Sequence, residues 1–113
     1  MIDESFKDFI LDQLAGIDKL RVKKMFGSFG LYCGDKFFAI ISDDVLYFKT
    51  NPETAKRYIE AGMTPFAPSP DQILKNYYQV PDEILESPEI VGWANQSIRA
   101  LSQEISDRSI IKP

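Results

Sequence analysis

Ser28 and Cys33 are side chains of this sequence that could serve as nucleophiles, and both lack the neighbours that such chemistry needs. A hydrolase elbow places its serine in Gly-x-Ser-x-Gly at a strand-to-helix turn, whereas Ser28 directly follows Gly27 and stands before Phe29 and Gly30. The sequence contains no histidine, which removes Ser-His-Asp and Cys-His catalysis and the commonest zinc-ligand sets. We therefore expect no catalytic residue, no bound metal and no cofactor.

The same glycines do not form a dinucleotide-binding loop. Such a loop opens a helix, but the residues that follow Gly30 are predicted to form a strand. Glycine within a strand more often permits a bulge or a close approach of two backbones. We expect Gly27 and Gly30 to act in this way, through backbone geometry, as part of a structural motif with Met25 and Phe26.

Cys33, the one cysteine, lies at a predicted strand end beside a turn. We expect it to be a small, half-buried hydrophobic residue, because a reactive thiol needs exposure and an electropositive setting, for which only Lys36 is near in sequence. A single cysteine also fits a reducing compartment. The first residues lack the pattern of a signal peptide, and no apolar run approaches the roughly 20 residues of a membrane span. The sequence therefore predicts a cytoplasmic protein with no membrane segment.

Lys19, Arg21, Lys23 and Lys24 form a basic cluster. The sequence leaves two interpretations open: a solvated connection between helix and sheet, or a contact surface for an acidic partner or a nucleic-acid backbone. The formal net charge of −4 and the pI of about 4.8 disfavour general nucleic-acid binding, because phosphate contacts need clustered Lys and Arg. No aromatic residue is interleaved with these charges to form a stacking platform.

Tyr77, Tyr78 and Trp93 are the aromatic residues that could anchor an interface. In a strand, Tyr77 and Tyr78 must point to opposite faces, so one can enter the core while the other lies on the far side of the sheet. Trp93 falls off the centre of the apolar stripe of the last predicted helix, which consists of Val91, Ala94, Ile98, Leu101 and Ile105. Core packing is the favoured role of each, and an interface contact is the alternative.

Hydrophobic periodicity and turn residues predict an α+β domain. Helices are predicted over 3–15, 52–61 and 88–105, with a single helical turn from Asp82, and strands over 26–33, 36–42, 45–50, 64–67 and 76–80. The order helix, three strands, helix, two strands, helix gives an antiparallel sheet of about five strands. At 113 residues, the chain fits a single domain over 1–113.

Short polar pairs mark the predicted turns and helix ends. Gly34-Asp35 favours a type II′ hairpin turn, and Asp43-Asp44 tolerates the positive φ that a two-residue turn needs. Asn51-Pro52-Glu53 is typical of a capped helix start, and Ser87-Pro88-Glu89 repeats the pattern at the start of the last helix. Asp3 or Ser5 can cap the start of the first helix. Gly16 suits the left-handed residue after that helix, where Ile17 can fold back onto the last turn.

The middle strand, Phe37 to Ile41, does not alternate between apolar and polar residues, so both of its faces should be covered. The first and last helices can cover one face, whereas the short second helix offers little apolar surface for the other. We therefore expect a protein–protein interface on the sheet or on the last helix, with a homodimer as one form.

Motifs along the chain resemble, in order and spacing, those of the N-terminal domain of the TfoX/Sxy family of competence regulators. The resemblance covers roughly residues 20–102 and is carried by Met25-Phe26-Gly27, Gly30-Leu31-Tyr32, Phe38-Ala39-Ile40-Ile41, Leu46-Tyr47 with Lys49, Gly62-Met63 with Pro65-Phe66, Tyr77-Tyr78 with Val80-Pro81, and Pro88-Glu89 with Trp93-Ala94. The family pattern usually has a second glycine where Ser28 stands, and an Asp-Gly or Asn-Gly turn where this chain has Gly34-Asp35.

This resemblance implies an α+β domain without known catalysis, tied to the control of competence genes. Regulators of the family carry a second, C-terminal helical domain, for which a chain ending at Pro113 leaves no room, so a full activator role is not expected. The leading hypothesis is a small cytoplasmic regulatory domain that acts by contact with an unidentified protein partner. A nucleic-acid-binding regulator that uses the basic cluster is the alternative, and an enzyme is the weakest hypothesis.

Overall fold

The computed structural model describes residues 4–25 and 27–111, with side chains as far as Ser102. The helices are α1 (Ser5–Gln13), α2 (Ala55–Glu60), α3 (Asp82–Leu85) and α4 (Glu89–Ile111), and the strands are β1 (Leu20–Met25), β2 (Ser28–Cys33), β3 (Lys36–Ser42), β4 (Val45–Lys49), β5 (Pro65–Ser69) and β6 (Gln72–Gln79). The α+β class and the order of the predicted elements are confirmed. Within the described part of the chain, no helix is long and apolar enough to cross a membrane.

The strands form one antiparallel sheet in the order β1-β2-β3-β4-β6-β5. It has six strands, one more than predicted, because the basic segment from Leu20 to Met25 forms β1. The interpretation of that segment as a connection is therefore wrong. β1 lies at the sheet edge and its four middle residues are exposed. The alternation of Leu20 and Val22 with Arg21 and Lys23 was the signal in the sequence that could have revealed this strand.

The hairpin turns follow their predicted backbone conformations. Gly34 has φ of 63° while Asp35 does not enter the positive range, which fits a type II′ turn. Asp43 and Asp44 have φ of 51° and 59°, as in a type I′ turn. Gly27, in the turn between β1 and β2, has φ of 81°, and this confirms its predicted role in backbone geometry.

The connection after α1 differs from the prediction. Gly16 is not in the left-handed region, and the positive φ falls instead on Lys19, at 56°. The amide of Ile17 still donates to the carbonyl of Leu14 at 2.9 Å, and Ile17 is buried, so its predicted return onto the helix end is confirmed. The proposed cap Asp3 lies outside the described residues, and Ser5 is the first residue of α1 rather than its cap.

The later helices begin with the predicted caps. The Asn51 side-chain oxygen accepts hydrogen bonds from the amides of Glu53 and Thr54, at 2.9 and 2.8 Å, although α2 itself starts only at Ala55. The Ser87 hydroxyl accepts a hydrogen bond from the amide of Glu89 at 3.1 Å. Both contacts satisfy amides that a helix start leaves without partners.

The side chains of β3 do not alternate strictly between the two faces of the sheet, because the strand contains a bulge. Tyr32 pairs with Phe37 and Leu31 pairs with Ala39, so Phe38 is the extra residue on β3. A bulge of this kind lets two successive residues face the same side. Phe38 and Ala39 accordingly both join the helix-covered core, together with Ile41. Ile40 is also buried, and the alternation of the strand directs it to the opposite face.

The core lies between the sheet and the helices. Each of the described helices contributes to the same buried cluster, through Ile10 of α1, Tyr58 of α2, Ile84 of α3 and Trp93, Ala94 and Ile98 of α4. Leu31, Phe38, Leu46 and Phe48 supply the sheet side. The apolar stripe predicted for the last helix is confirmed at Ala94 and Ile98, whereas the side chain of Ile105 lies outside the described residues.

Candidate binding surface on the open face of the sheet

The helices occupy one face of the sheet, and the strand register fixes which side chains point to the other. Cross-strand pairing carries one row from Lys23 through Gly30, Ile40 and Tyr47 to Gln79. A second row runs from Arg21 through Tyr32 to Phe37, and Lys49 pairs with Tyr77 further along. Directly paired residues point to the same face. We call this surface the open face: Arg21, Lys23, Met25, Gly30, Tyr32, Phe37, Ile40, Tyr47, Lys49, Tyr77 and Gln79.

An aromatic cluster of Tyr32, Phe37 and Tyr77 lies on the open face. The rings of Tyr32 and Phe37 are stacked with centroids 5.1 Å apart, and the centroids of Phe37 and Tyr77 are 5.7 Å apart. All three side chains are half-buried, so part of each ring remains accessible to a ligand. Tyr77 and Tyr78 point to opposite faces, as predicted, since Tyr78 packs against the core.

Gly30 makes room for this cluster. A Cβ atom at Gly30 would lie 2.9 Å from Cε1 of Phe37, 3.1 Å from Cε of Met25 and 3.4 Å from Cε1 of Tyr32. The prediction that Gly30 permits a bulge or a backbone crossing is therefore wrong, since the bulge is at Phe38 and the close neighbours of Gly30 are side chains. Phe26, the remaining member of the predicted structural motif, lies outside the described residues.

The structure divides the basic cluster predicted from the sequence. Arg21 and Lys23 lie on the open face, and both are exposed. Lys24 points to the helix side, where its Nζ atom lies 4.0 Å from a carboxylate oxygen of Glu4. Lys19 precedes β1, and its carbonyl accepts a hydrogen bond from the amide of Gly34 at 2.9 Å. Two of the four cations therefore share a surface with the aromatic cluster.

Charge is segregated between the strands and the rest of the chain. The described strands contain no Asp or Glu, whereas they contain the cations Arg21, Lys23, Lys24, Lys36, Lys49 and Lys75. Acidic residues lie in the helices and connections, with Asp35, Asp43 and Asp44 at the hairpin tips. An acidic chain therefore presents a sheet surface that is locally basic.

Lys49 adds a third cation within the aromatic cluster, on β4 between the strands that carry Phe37 and Tyr77. Its Nζ atom lies 5.4 Å from the ring centroid of Tyr77, within the range of a cation–π contact. A groove of about 440 Å³ opens here between Phe37, Lys49, Tyr77 and Leu101 of α4. Leu101 is thus the place where the helical layer reaches the border of the open face.

Tyr47 forms a second aromatic contact on the open face. Its ring centroid lies 4.5 Å from that of Phe66 on β5. Burial, and secondarily the charge of Asp43, raises the pKa of the Tyr47 phenol. Tyr47 therefore presents a neutral hydroxyl near physiological pH.

Trp93 and Tyr78 lie on the helix side, away from the aromatic cluster. Trp93 is 8% exposed, its ring meets that of Tyr58 edge to face at a centroid distance of 4.9 Å, and the Arg57 guanidinium carbon lies 4.2 Å from its centroid. Tyr78 lies 6.0 Å from Tyr58, between ring centroids. Both residues therefore have the core role that the sequence favoured, and the structure does not bring them together with Tyr77.

The two candidate nucleophiles have structural contacts. The Ser28 and Ser42 hydroxyl oxygens lie 3.0 Å apart across β2 and β3. The Cys33 thiol lies 3.2 Å from the carbonyl oxygen of Asp18, and the side chain packs partly against the core. This is the half-buried position expected for Cys33.

The fold and the open face define a small α+β domain with a helix-covered core and a second sheet surface, which the described helices leave largely open. The family model of the TfoX N-terminal domain matches the chain over residues 12–101. The match covers most of the chain, from the end of α1 into α4, and the chain belongs to this family. A comparison with curated proteins finds no match. Membership supports the broad assignment of a small regulatory or interaction domain.

Proposed function

We propose that this domain serves in gene regulation by non-covalent binding through the open face, without catalysing a reaction. The observation that carries the proposal is the half-buried aromatic cluster with Arg21 and Lys23 on the face opposite the helices. Aromatic and arginine side chains are favoured anchors in binding surfaces because they bring a large contact area and a polar group together. The resemblance to competence regulators supports a role in the control of transcription.

The apolar residues of the middle strand differ in burial from the aromatic cluster. Phe38, Ile40 and Ile41 are 0%, 5% and 3% exposed within a single chain, so the middle strand does not need a second subunit to cover it. Phe37 alone among its large apolar residues is half-buried. We expected a homodimer because both faces of the apolar middle strand need cover. Burial within a single chain removes this reason, and the homodimer stays a prediction.

A capture experiment tests whether the open face is the binding surface, whatever the ligand. The domain is immobilised as the wild type, as Tyr77→Ala and as Phe9→Ala, and is then exposed to an extract of the cells from which the sequence comes. Phe9 is a matched control because it is 38% exposed on α1, on the helix side. Retained proteins and nucleic acids are identified by mass spectrometry and sequencing, and near-ultraviolet circular dichroism checks that each variant is folded.

The proposal predicts a ligand that the wild type and Phe9→Ala retain and that Tyr77→Ala loses. A ligand lost with Phe9→Ala and kept by Tyr77→Ala would place binding on the helical layer and would contradict the proposal. Turnover of a substrate that disappears on Ser28→Ala or Cys33→Ala would contradict the non-catalytic part.

A further inference from the structure

We propose that the ligand of the open face is single-stranded nucleic acid, an inference that rests on the binding role proposed above. The sequence argued against nucleic acid because of the net charge and because no aromatic residue stands among the basic ones. The fold changes both arguments. It places Arg21 beside Tyr32 across adjacent strands, and it keeps acidic residues out of the strands.

The aromatic cluster supplies surfaces on which bases can stack. Tyr32 and Tyr77 flank Phe37, with centroid distances of 5.1 and 5.7 Å to it. Any base can stack on such a ring, because every base has a π face. This contact therefore does not depend on the nucleotide sequence. Recognition of single strands by an antiparallel sheet commonly relies on aromatic side chains of an uncovered face.

The cations lie at one end of the cluster and within it, where a phosphate backbone can contact them. Arg21 and Lys23 lie on the edge strand β1, and Lys49 lies on β4 beside Tyr77. Strands are spaced about 4.8 Å apart, so β1 and β4 are separated by roughly 14 Å. A short single strand that crosses the sheet can therefore place bases on the rings while its phosphates contact Arg21 and Lys23 at the edge strand and Lys49 between the strands of Phe37 and Tyr77.

Single strands fit this surface better than the other polyanions. A duplex keeps its base faces stacked inside the helix, so it could use the cations but not the rings. An acidic peptide would match the charges, but it offers few planar groups for stacking. Both are outcomes that the test must separate.

Fluorescence anisotropy of labelled oligonucleotides tests the proposal with the full chain. The probes are oligothymidine and oligouridine of about ten nucleotides, within the usual site sizes, a duplex of equal length, and a labelled oligoglutamate peptide. Because three phosphate contacts give a salt slope near −2, raising the salt from about 50 to 200 mM should weaken single-strand binding roughly twentyfold. The duplex and the peptide should bind at least about tenfold more weakly than the single strands, because they lack accessible bases.

Substitutions separate stacking from charge. Tyr77→Ala should weaken single-strand binding at least about fivefold, whereas Tyr77→Phe keeps the ring and should stay close to the wild type. The double substitution Arg21→Gln with Lys23→Gln should reduce the salt slope by about two-thirds. Its matched control is Lys56→Gln with Arg99→Gln, which removes the same charge from exposed positions on α2 and α4 and should leave the slope unchanged.

Three results would overturn the proposal: no binding at low salt, equal binding of duplex and single strand with no loss on Tyr77→Ala, or preference for the acidic peptide. Equal loss of affinity in both double variants would show that only the net charge matters, and would also overturn it. The open face as a binding surface would survive these results if the captured ligand were a protein that Tyr77→Ala still loses, so the two proposals can fail separately.

Discussion

The helix-covered face and the open face of the sheet are built from the same strands, yet they differ in packing and charge. Phe38 and Phe37 are neighbours in β3, and the bulge sends Phe38 into the core while Phe37 stays on the open face. Phe38 is fully buried beside Phe48, at a centroid distance of 6.0 Å. Phe37 is half-buried between two tyrosines.

Because of this difference, the helix-covered face contributes mainly to stability, whereas the open face is suited to binding. Complete burial of apolar side chains on the helix side supplies most of the free energy that holds the fold. The open face buries its aromatic rings only in part and places cations beside them, a combination that adds less to stability but can contact a ligand. Substitutions on the two faces should therefore change different measured quantities.

The largest effect is expected from truncating the two adjacent phenylalanines. Phe38→Ala should lower the free energy of unfolding by about 3–5 kcal/mol, since it removes a fully buried ring and leaves a cavity. Phe37→Ala should cost clearly less, about 1–2 kcal/mol, because part of that ring is already in solvent. Urea unfolding followed by circular dichroism measures both. Equal losses for the two variants would show that the faces are not energetically distinct.

The next effect concerns the glycine under the aromatic cluster. Gly30→Val should destabilise the fold by about 2 kcal/mol, because the new side chain would overlap Phe37 and Met25. Gly27→Ala should cost about 1 kcal/mol through its positive φ, with no steric conflict because its new methyl group would meet no atom beyond the adjacent residues within 4 Å. Thermal unfolding gives the stabilities. Only Gly30→Val should also move the ring resonances of Tyr32 and Phe37, and unmoved resonances would argue against the contact.

A smaller effect should appear in alkaline solution. Burial raises the pKa of the Tyr58 phenol, while its hydrogen bond with Ser97 and the charge of Arg57 act in the opposite direction. The unfolded chain loses this proton near pH 10, before the folded chain does, so stability should fall as the pH rises above about 10, by up to about 1.4 kcal/mol per pH unit. Below that pH the phenol is neutral in both states, and this contribution to stability is fully present.

Tyr58→Phe tests this assignment. The variant lacks the ionisable group, so the slope of stability against pH above about 10 should be shallower than in the wild type. Tyr47→Phe serves as the comparison on the open face, where burial is only partial and the change in slope should be smaller. An identical slope in the wild type and Tyr58→Phe would assign the alkaline loss to other groups.

The smallest effect on stability is expected for the open-face cations. Arg21 and Lys23 are exposed, so replacing both with glutamine should change the free energy of unfolding by no more than about 0.5 kcal/mol per site. A larger loss in urea unfolding would mean that these side chains hold the sheet edge together. In that event their effect on ligand binding could not be separated from folding.

Local signals in the sequence were sufficient for much of the fold. The positive φ values of Gly34, Asp43 and Asp44 and the caps at Asn51 and Ser87 follow from side-chain chemistry within a few residues. β1 was missed because its alternation covers only Leu20 to Lys23, and its exposed basic side chains favoured a solvated connection instead. The bulge at Phe38 could not be predicted, because it depends on tertiary contacts that a single segment does not reveal.

The candidate surface was only partly predictable for the same reason. Alternation alone placed Tyr77 and Tyr78 on opposite faces. That Tyr77 meets Tyr32 and Phe37 depends on strand order and register over the whole sheet. The role of Gly30 required the position of the Phe37 ring, and the division of the basic cluster required β1 to be a strand.

Mapping by nuclear magnetic resonance tests the central claim, that the uncovered sheet face is where this domain binds. Labelled protein is titrated with oligothymidine, and the aromatic and amide resonances are followed. We predict that the largest shifts fall on Tyr32, Phe37 and Tyr77, while the indole resonance of buried Trp93 stays in place. No shifts at all would contradict single-stranded nucleic acid as the ligand, and shifts concentrated in the groove between α1 and α3, around Phe6, Phe9 and Leu85, would contradict the open face as the binding surface.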